Sequence, residues 1–395
     1  MLGLIWMVYV CNGLAFSSLA TVVDPIRDDL GISYGRMGLV LGFWQLVTIF
    51  TFYPLGRVMD RFPTRRLVAV AAVIMALSLL LRGLSVDFYT LLFAMGLFAF
   101  GGPLISVGAP KVVADWFSGA ERNFATGAYI SGPIVGIVIG LSLATNVIVP
   151  LTGSWRGVQF TYGIAALVAG VIWYVLARDP ARPQVAAGTV PEPVRRDEEG
   201  SVLLALLRVG NVRLVLILAI ASFLLQHGLV NWAPTLLDEA GMTSNRASLW
   251  AAIGVAAGAI GVLTVPSFAR LGRRRIILAV MLAWAALGTA GLALTDGGGL
   301  IASLLVANVA STPIFPILTL ILIDTEGVGL KRIGAAVGLA FAASEIGGFA
   351  GPFMLGVVRD VTGSLDTGVL ALATITAMLI LVTPFIRERR PDGPI

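Results

Sequence analysis

Runs of about 20 apolar residues recur along the whole chain, and nothing else constrains its fold as tightly. Each is long enough to cross a hydrocarbon core of roughly 30 Å as a helix. They fall at about 3–23, 35–55, 67–86, 89–112, 124–148 and 158–177. After a polar interval they resume at 213–233, 247–267, 275–294, 298–322, 333–357 and 367–386. Charged residues make up only 12% of the chain and hydrophobic ones 57%, against roughly 25% charged in an ordinary soluble domain. No soluble core buries that much apolar surface, so lipid is the solvent for much of it. The Ala, Gly, Leu and Val content suits helices that pack closely on one another. A membrane barrel would instead show short segments with period-two alternation. The expectation is an all-α membrane protein with twelve transmembrane helices.

Charge then orients the chain. If the helices alternate, 21 of the 27 Lys and Arg residues fall on the side that carries both termini. Arg57, Arg61, Arg65, Arg66, Arg270, Arg273, Arg274 and Arg275 are among them, while the other side holds Arg27, Arg36, Arg82, Arg156, Arg246 and Arg359. The excess marks the cytoplasmic side, which predicts a multi-pass protein of the cytoplasmic membrane with both termini inside. The pI of about 9.7 is this bias and not a nucleic-acid footprint, since no basic-aromatic platform accompanies it. The single cysteine, Cys11, allows neither an intrachain disulfide nor a thiolate metal site, and no cofactor is expected. The N-terminus lacks a basic stretch ahead of its apolar run, so the first span reads as retained and not as a cleaved leader. The expected surroundings are lipid, the expected state a monomer.

The second half repeats the first at an offset of 209–210. Asp24-Pro25 matches Ala233-Pro234, Pro63-x-Arg65-Arg66 matches Gly272-x-Arg274-Arg275, and Thr152-Gly153-Ser154 matches Thr362-Gly363-Ser364. Two six-helix halves, 1–177 and 213–395, joined by a polar linker over 178–212, is an architecture of parallel-repeat transporters. The linker carries Pro180, Pro183, Pro191 and Pro193, and an interfacial helix is expected near Leu203–Arg208.

Between the second and third spans lies Gly56-Arg57-Val58-Met59-Asp60-Arg61-Phe62-Pro63-Thr64-Arg65-Arg66. Its spacing, G-x-x-x-D-R-x-x-x-R-R, resembles the loop between the second and third helices of the major facilitator superfamily of transporters, with Pro63 where that family usually has a second Gly. The resemblance implies the major facilitator fold and a cytoplasmic gate at Gly56, Asp60, Arg61 and Arg65. Under the 209 offset Arg61 corresponds to Arg270 and Asp115 to Asp324, so one Arg–Asp pair per half is expected, Arg61 with Asp115 and Arg270 with Asp324. Ala269 stands in the place equivalent to Asp60. Gly132-Pro133-x-x-Gly136 resembles a motif of drug–proton antiporters, and reads equally as a bend and close-packing site. Trp116-Phe117 before Glu121-Arg122, and Gly153-Ser154-Trp155-Arg156, resemble organic-acid and cyanate-type branches. Yet no central Arg appears of the kind that family members handling organic anions usually display, which weighs against an anionic solute.

An ionisable group near the bilayer centre is costly and so is a functional candidate. Glu345, mid-way along the eleventh span, is the clear case, with Phe341, Ala342, Gly348 and Phe349 at its i±3 and i±4 positions. Its carboxyl group would either couple transport to protons or serve as a hydrogen-bonded contact between helices. His227, the only histidine, shares a helix face with Phe223 and Asn231 at i, i+4 and i+8 and is the rival coupling residue, since an ordinary imidazole titrates near neutral pH. In the fold that the resemblance implies, spans one, four, seven and ten line the central path. The cavity candidates are therefore Tyr9, Asn12, Trp44, Gln45, Tyr129, Gln226, His227, Asn231, Asn308, Ser311 and Glu345. Pro103 in span four and Pro313 and Pro316 in span ten are expected to break helices where they line a cavity.

An intramembrane enzyme would need a nucleophile–base pair, a metal set or a carboxylate dyad at membrane depth, and one His, one Cys and one mid-span Glu on separate helices make none. No nucleotide motif and no filter sequence of a channel appears. The function read from the sequence is secondary transport of a small organic solute by alternating access, coupled to protons as a symporter. Proton-antiport efflux of drugs or metabolites, or uncoupled facilitation, is the alternative.

Overall fold

The computed structural model describes residues 1–179 and 196–388; within them the side chains of Phe52, Tyr53, Gly56, Arg57, Asp60, Leu330, Lys331 and residues 196–201 lie outside the description. The helices are α1 Leu2–Ser17, α2 Val23–Leu30, α3 Tyr34–Arg61, α4 Thr64–Gly83, α5 Phe88–Trp116, α6 Gly119–Leu143, α7 Val149–Thr152, α8 Trp155–Leu176, α9 Arg196–Arg208, α10 Gly210–Glu239, α11 Ser244–Phe268, α12 Arg274–Leu294, α13 Gly297–Ser311, α14 Ile314–Ile323, α15 Gly329–Thr362 and α16 Leu365–Met378. Among the described residues there is no strand, and ten helical segments are long and apolar enough to cross a membrane. The remaining two expected spans fall on α1 and α3. The helix expected near Leu203–Arg208 is α9, which buries Leu206 and exposes Leu203, Leu204 and Leu207.

Contacts divide the chain into two compact units. The first comprises Met1–Pro180, Gly228–Ala256 and Pro352–Leu365, the second Ala181–His227, Ala257–Gly351 and Asp366–Ile395. Within the first unit, α4 packs on α5 and α8, α1 on α6 and α8, and α3 on α5. Within the second, α12 packs on α13.

Three local features show how side chains decide where helices run. The first span stops at Ser17 because polar side chains take over its free carbonyls: Arg82 donates to Ala15 O (2.8 Å) and Gln159 to Ser18 O (2.9 Å), the kind of partner a helix end requires. Span four does not break. It runs as one helix through Pro103 and Pro110, and the carbonyl of Ala99, which the missing Pro103 N–H cannot serve, accepts from Thr51 Oγ1 at 3.2 Å. Span ten does break, into α13 and α14 at Thr312-Pro313, while Pro316 sits in the first turn of α14, where a missing N–H costs nothing.

The internal repeat is carried by the backbone as well as by residue types. Thr152 Oγ1 donates to Ile148 O and Ser154 O, and Thr362 Oγ1 to Val358 O and Ser364 O. Between them Gly153 and Gly363 take φ of 69° and 79°, a left-handed conformation that favours glycine at a helix C-terminus. Two copies of one turn, 210 positions apart, close the helices before α8 and α16.

Candidate functional site

In the first unit the candidate residues form two groups. Tyr9 and Tyr129 stack with ring centroids 6.0 Å apart and planes 25° from parallel, and Tyr9 Oη donates to Ser106 Oγ at 3.4 Å. Beside them Trp6 Nε1 donates to Ser131 Oγ at 3.0 Å, which ties α1 to α6. Asn12, one turn on from Tyr9, is half-buried. In the second group Trp44 meets Phe16 and Phe98 edge-on, at 6.0 and 5.3 Å. Gln45 is wholly buried, and neither its Oε1 nor its Nε2 has a hydrogen-bond partner among the described residues. Asn231, at 2% exposure, is also in this unit.

Arg82 is the residue that sequence reasoning undervalued. A position near a span end suggests a side chain reaching water, but its guanidinium is fully buried. Besides Ala15 O it donates to Ser18 Oγ and Ser78 Oγ, both at 3.0 Å, and lies 5.3 Å from the Phe98 ring centroid. No carboxylate pairs with it among the described residues. The signal was present in sequence as the small polar residues Ser18 and Ser78, but the partners come from three helices.

The second unit holds an aromatic wall. Phe223 lies 5.2 Å from Phe315 and 6.1 Å from Phe341, and Phe315 lies 6.1 Å from Phe341, so α10, α14 and α15 each supply one ring. His227 continues it, 4.9 Å from Phe223, with Nδ1 3.2 Å from Phe223 O. All four side chains are half-buried, as is Gln226. Glu345 follows Phe341 by one turn of α15 and so shares its face. It is 3% exposed, and its Oε2 has no hydrogen-bond partner among the described residues. Two residues on, a Cβ at Gly347 would lie 1.7 Å from Ile220 O, so α15 runs against α10 here with no side chain between them. Asn308 and Ser311 are buried; Asn308 Nδ2 donates to Leu304 O of its own helix at 2.9 Å. Phe315 was missed in the sequence because nothing but its place after Pro313 distinguishes it from lipid-facing phenylalanines.

The residues expected at a gate lie at the helix ends where the Lys and Arg excess falls. The side chains of Gly56 and Asp60 are outside the described residues. Arg61 and Asp115 are exposed, and no ion pair joins them. Arg65 donates to Tyr174 O from Nε (3.0 Å) and Nη2 (2.6 Å), and its backbone N–H donates to Asp179 at 3.3 Å. In the second half Asp324 pairs with Arg274, which also reaches Leu320 O at 2.5 Å and Ala269 O at 3.1 Å. The expected pairings are thus corrected: Arg270 lies in the turn ahead of α12, whereas Arg274 opens α12 and its guanidinium meets the end of α14. Lys111 donates to Met59 O at 2.6 Å. A polar cavity of about 1040 Å³ opens beside Asp324, lined among others by Asn211, Arg213, Arg275 and Glu388.

Many apolar helices, internal repetition and buried polar groups on membrane-length segments define a class, the multi-pass membrane transporters. The family model described as Major Facilitator Superfamily matches residues 5–352, and the chain belongs to that family, whose members are transporters and not enzymes. Among curated relatives it is 27% identical over 412 aligned residues to a hexuronate transporter of Bacillus subtilis, covering 95% of this chain and 93% of that one. It is 24% identical to a probable galactarate/D-glucarate transporter of the same organism, covering 98% and 94%. Among solved structures it resembles a bacterial homolog of the human lysosomal transporter Spinster, in an inward-facing and occupied conformation, with a TM-score of 0.80, 17% identity and coverage of 99% and 98%.

Proposed function

We propose that this secondary transporter moves a small organic solute across the cytoplasmic membrane by alternating access, in two six-helix halves, and that protons drive it through Glu345. The observation that carries the reading is the carboxyl group of Glu345, buried in a span with an oxygen left unbonded among the described residues. An acid there is expensive to keep unless it acts. Sealed from water it holds its proton, because burial disfavours the charged form; opened to water it releases it. That cycle ties solute movement to a proton gradient. His227 is the second group on the same wall able to exchange a proton. The relatives, by their names, carry hexuronate and galactarate or D-glucarate, so sugar acids open the solute panel.

The test is accumulation in proteoliposomes under an imposed pH gradient, with solutes from sugar acids to aromatic amines. Glu345→Gln keeps the shape and hydrogen-bonding capacity of the side chain and removes its titration. It is expected to abolish gradient-driven accumulation. Unchanged accumulation and pH dependence in Glu345→Gln would make Glu345 structural and transfer the role to His227 or to an uncoupled facilitator.

A further inference from the structure

We propose that the wall formed by Phe223, Phe315 and Phe341 with Glu345 recognises an organic cation bearing an apolar or aromatic group. This rests on the reading of the same site as the solute site, and assigns its charge. Three rings from three helices stand 5.2–6.1 Å apart, centroid to centroid. They are steeply inclined to one another, at 60°, 83° and 75°, so they do not close into a flat stack. Each ring is only half-buried. An aromatic face carries negative potential and attracts a cation, most strongly where water is excluded, and cages of such rings hold quaternary ammonium groups.

The carboxyl group supplies the second half of the argument. Glu345 lies one turn beyond Phe341 on the same face of α15, 3% exposed, with Oε2 unbonded. Among the described residues no Lys or Arg forms an ion pair with it. A buried carboxylate without a counter-charge is costly, and a bound cation removes that cost by supplying the charge. A sugar acid does the opposite. Its carboxylate would enter a wall with no fixed cation and an acid already in place, and its hydroxyls would meet phenyl rings that cannot bond to them. The relatives' named solutes therefore do not transfer to this wall. The same carboxyl group can hold a proton or face a cation, and exchange of one for the other gives the site a reason to carry a single acid.

The probes are benzyltrimethylammonium, with phenylacetate as the one-ring anion, benzyl alcohol as the neutral analogue and D-galacturonate as the sugar acid. Equilibrium binding is measured on purified full-length protein in nanodiscs. Benzyltrimethylammonium is expected to bind more tightly than all three others. Glu345→Gln is expected to weaken it roughly tenfold or more, and Phe341→Leu by roughly threefold or more, while Phe341→Tyr restores the ring and the affinity. Leu and Tyr keep apolar bulk, so circular dichroism and gel filtration should show folded protein for both. Absent binding of benzyltrimethylammonium overturns the proposal, as does binding no tighter than phenylacetate or benzyl alcohol, or equal affinity in Glu345→Gln. If D-galacturonate alone binds, and accumulates in a Glu345-dependent way, the cation assignment falls while proton-coupled transport stands. If benzyltrimethylammonium binds as described but accumulation ignores Glu345→Gln, the cation assignment stands and the coupling falls.

Discussion

Asp29 illustrates what single charged residues do outside the membrane-spanning segments. It sits at the end of α2, and its carboxylate pairs with Arg156 and accepts from Trp155 Nε1 at 3.0 Å. The Arg156 bond first, and the indole second, hold its carboxyl below the usual carboxylate range. A group whose folded value is depressed contributes stability that is complete above its unfolded value and is lost as pH falls through the folded one. The contact is exposed, so the effect is modest, but its sign is fixed. Asp29→Asn is expected to lower the melting temperature at neutral pH, and the gap from wild type should close as the pH drops below the ordinary carboxylate range. A gap independent of pH would mean that the side chain matters only for its shape. Inside the bundle Arg82 follows a different logic. It is a buried cation held by one carbonyl and two hydroxyls, fastening α1, α4 and their neighbours at the point where the first span ends.

At the level of helices, glycine decides how closely pairs approach. A Cβ at Gly13 would lie 2.1 Å from Pro133 O, and one at Gly136 would lie 2.0 Å from Val10 O. The atoms in the way are backbone, which cannot swing aside. The motif Gly132-Pro133-x-x-Gly136 is therefore, in this chain, the contact surface of α6 with α1. Gly136→Ala is expected to cost about 1–3 kcal/mol through overpacking and to depress transport by separating the two helices. Gly127, on the same helix with nothing within 4 Å of its added Cβ, is the control: Gly127→Ala should be neutral or stabilise by about 0.5–1 kcal/mol through helix propensity. Denaturation midpoints of the two variants in one detergent decide the matter, and equal destabilisation would remove the packing argument.

Across the whole molecule, one unit joins stretches from opposite ends of the chain. The carboxylate of Asp360 accepts from the backbone N–H of Tyr34 at 2.9 Å and of Gly35 at 2.7 Å, the first turn of α3, where helix donors are free and negative charge is favoured. Around it Arg359 pairs with Glu239 at 2.7 Å and lies 4.8 Å from the Tyr34 ring centroid, and Trp232 Nε1 donates to Pro352 O at 2.9 Å. Cβ atoms at Gly38 and Gly356 would lie 2.4 Å from Pro352 O and 2.3 Å from Tyr34 O, so the backbones touch. This clasp lies at the helix ends opposite those that carry the Lys and Arg excess. Removing one carboxylate should loosen it: in Asp360→Ala, hydrogen exchange of a peptide covering residues 33–37 should become at least severalfold faster than in wild type, since two amides lose their acceptor. Unaltered exchange there would show that the glycine contacts alone hold the clasp.

The sequence by itself determined the fold class, the family and the repeat, because each depends on quantities that add along a chain: apolar length against bilayer thickness, charge bias between loops, and matched turn residues at one offset. It also singled out Glu345, since a charge inside an apolar run is visible without a partner. Only the tertiary structure could decide what faces what. The ring of Phe315 joins Phe223 and Phe341 across three helices, the carboxylate of Asp324 meets Arg274 and not Arg270, and Arg82 turns inward to carbonyls and hydroxyls. Each of these turns on helix rotation and approach. A side chain swings by 100° per residue around an α-helix, so a shift of one position, invisible in a repeat of apolar residues, exchanges a lipid contact for a buried one.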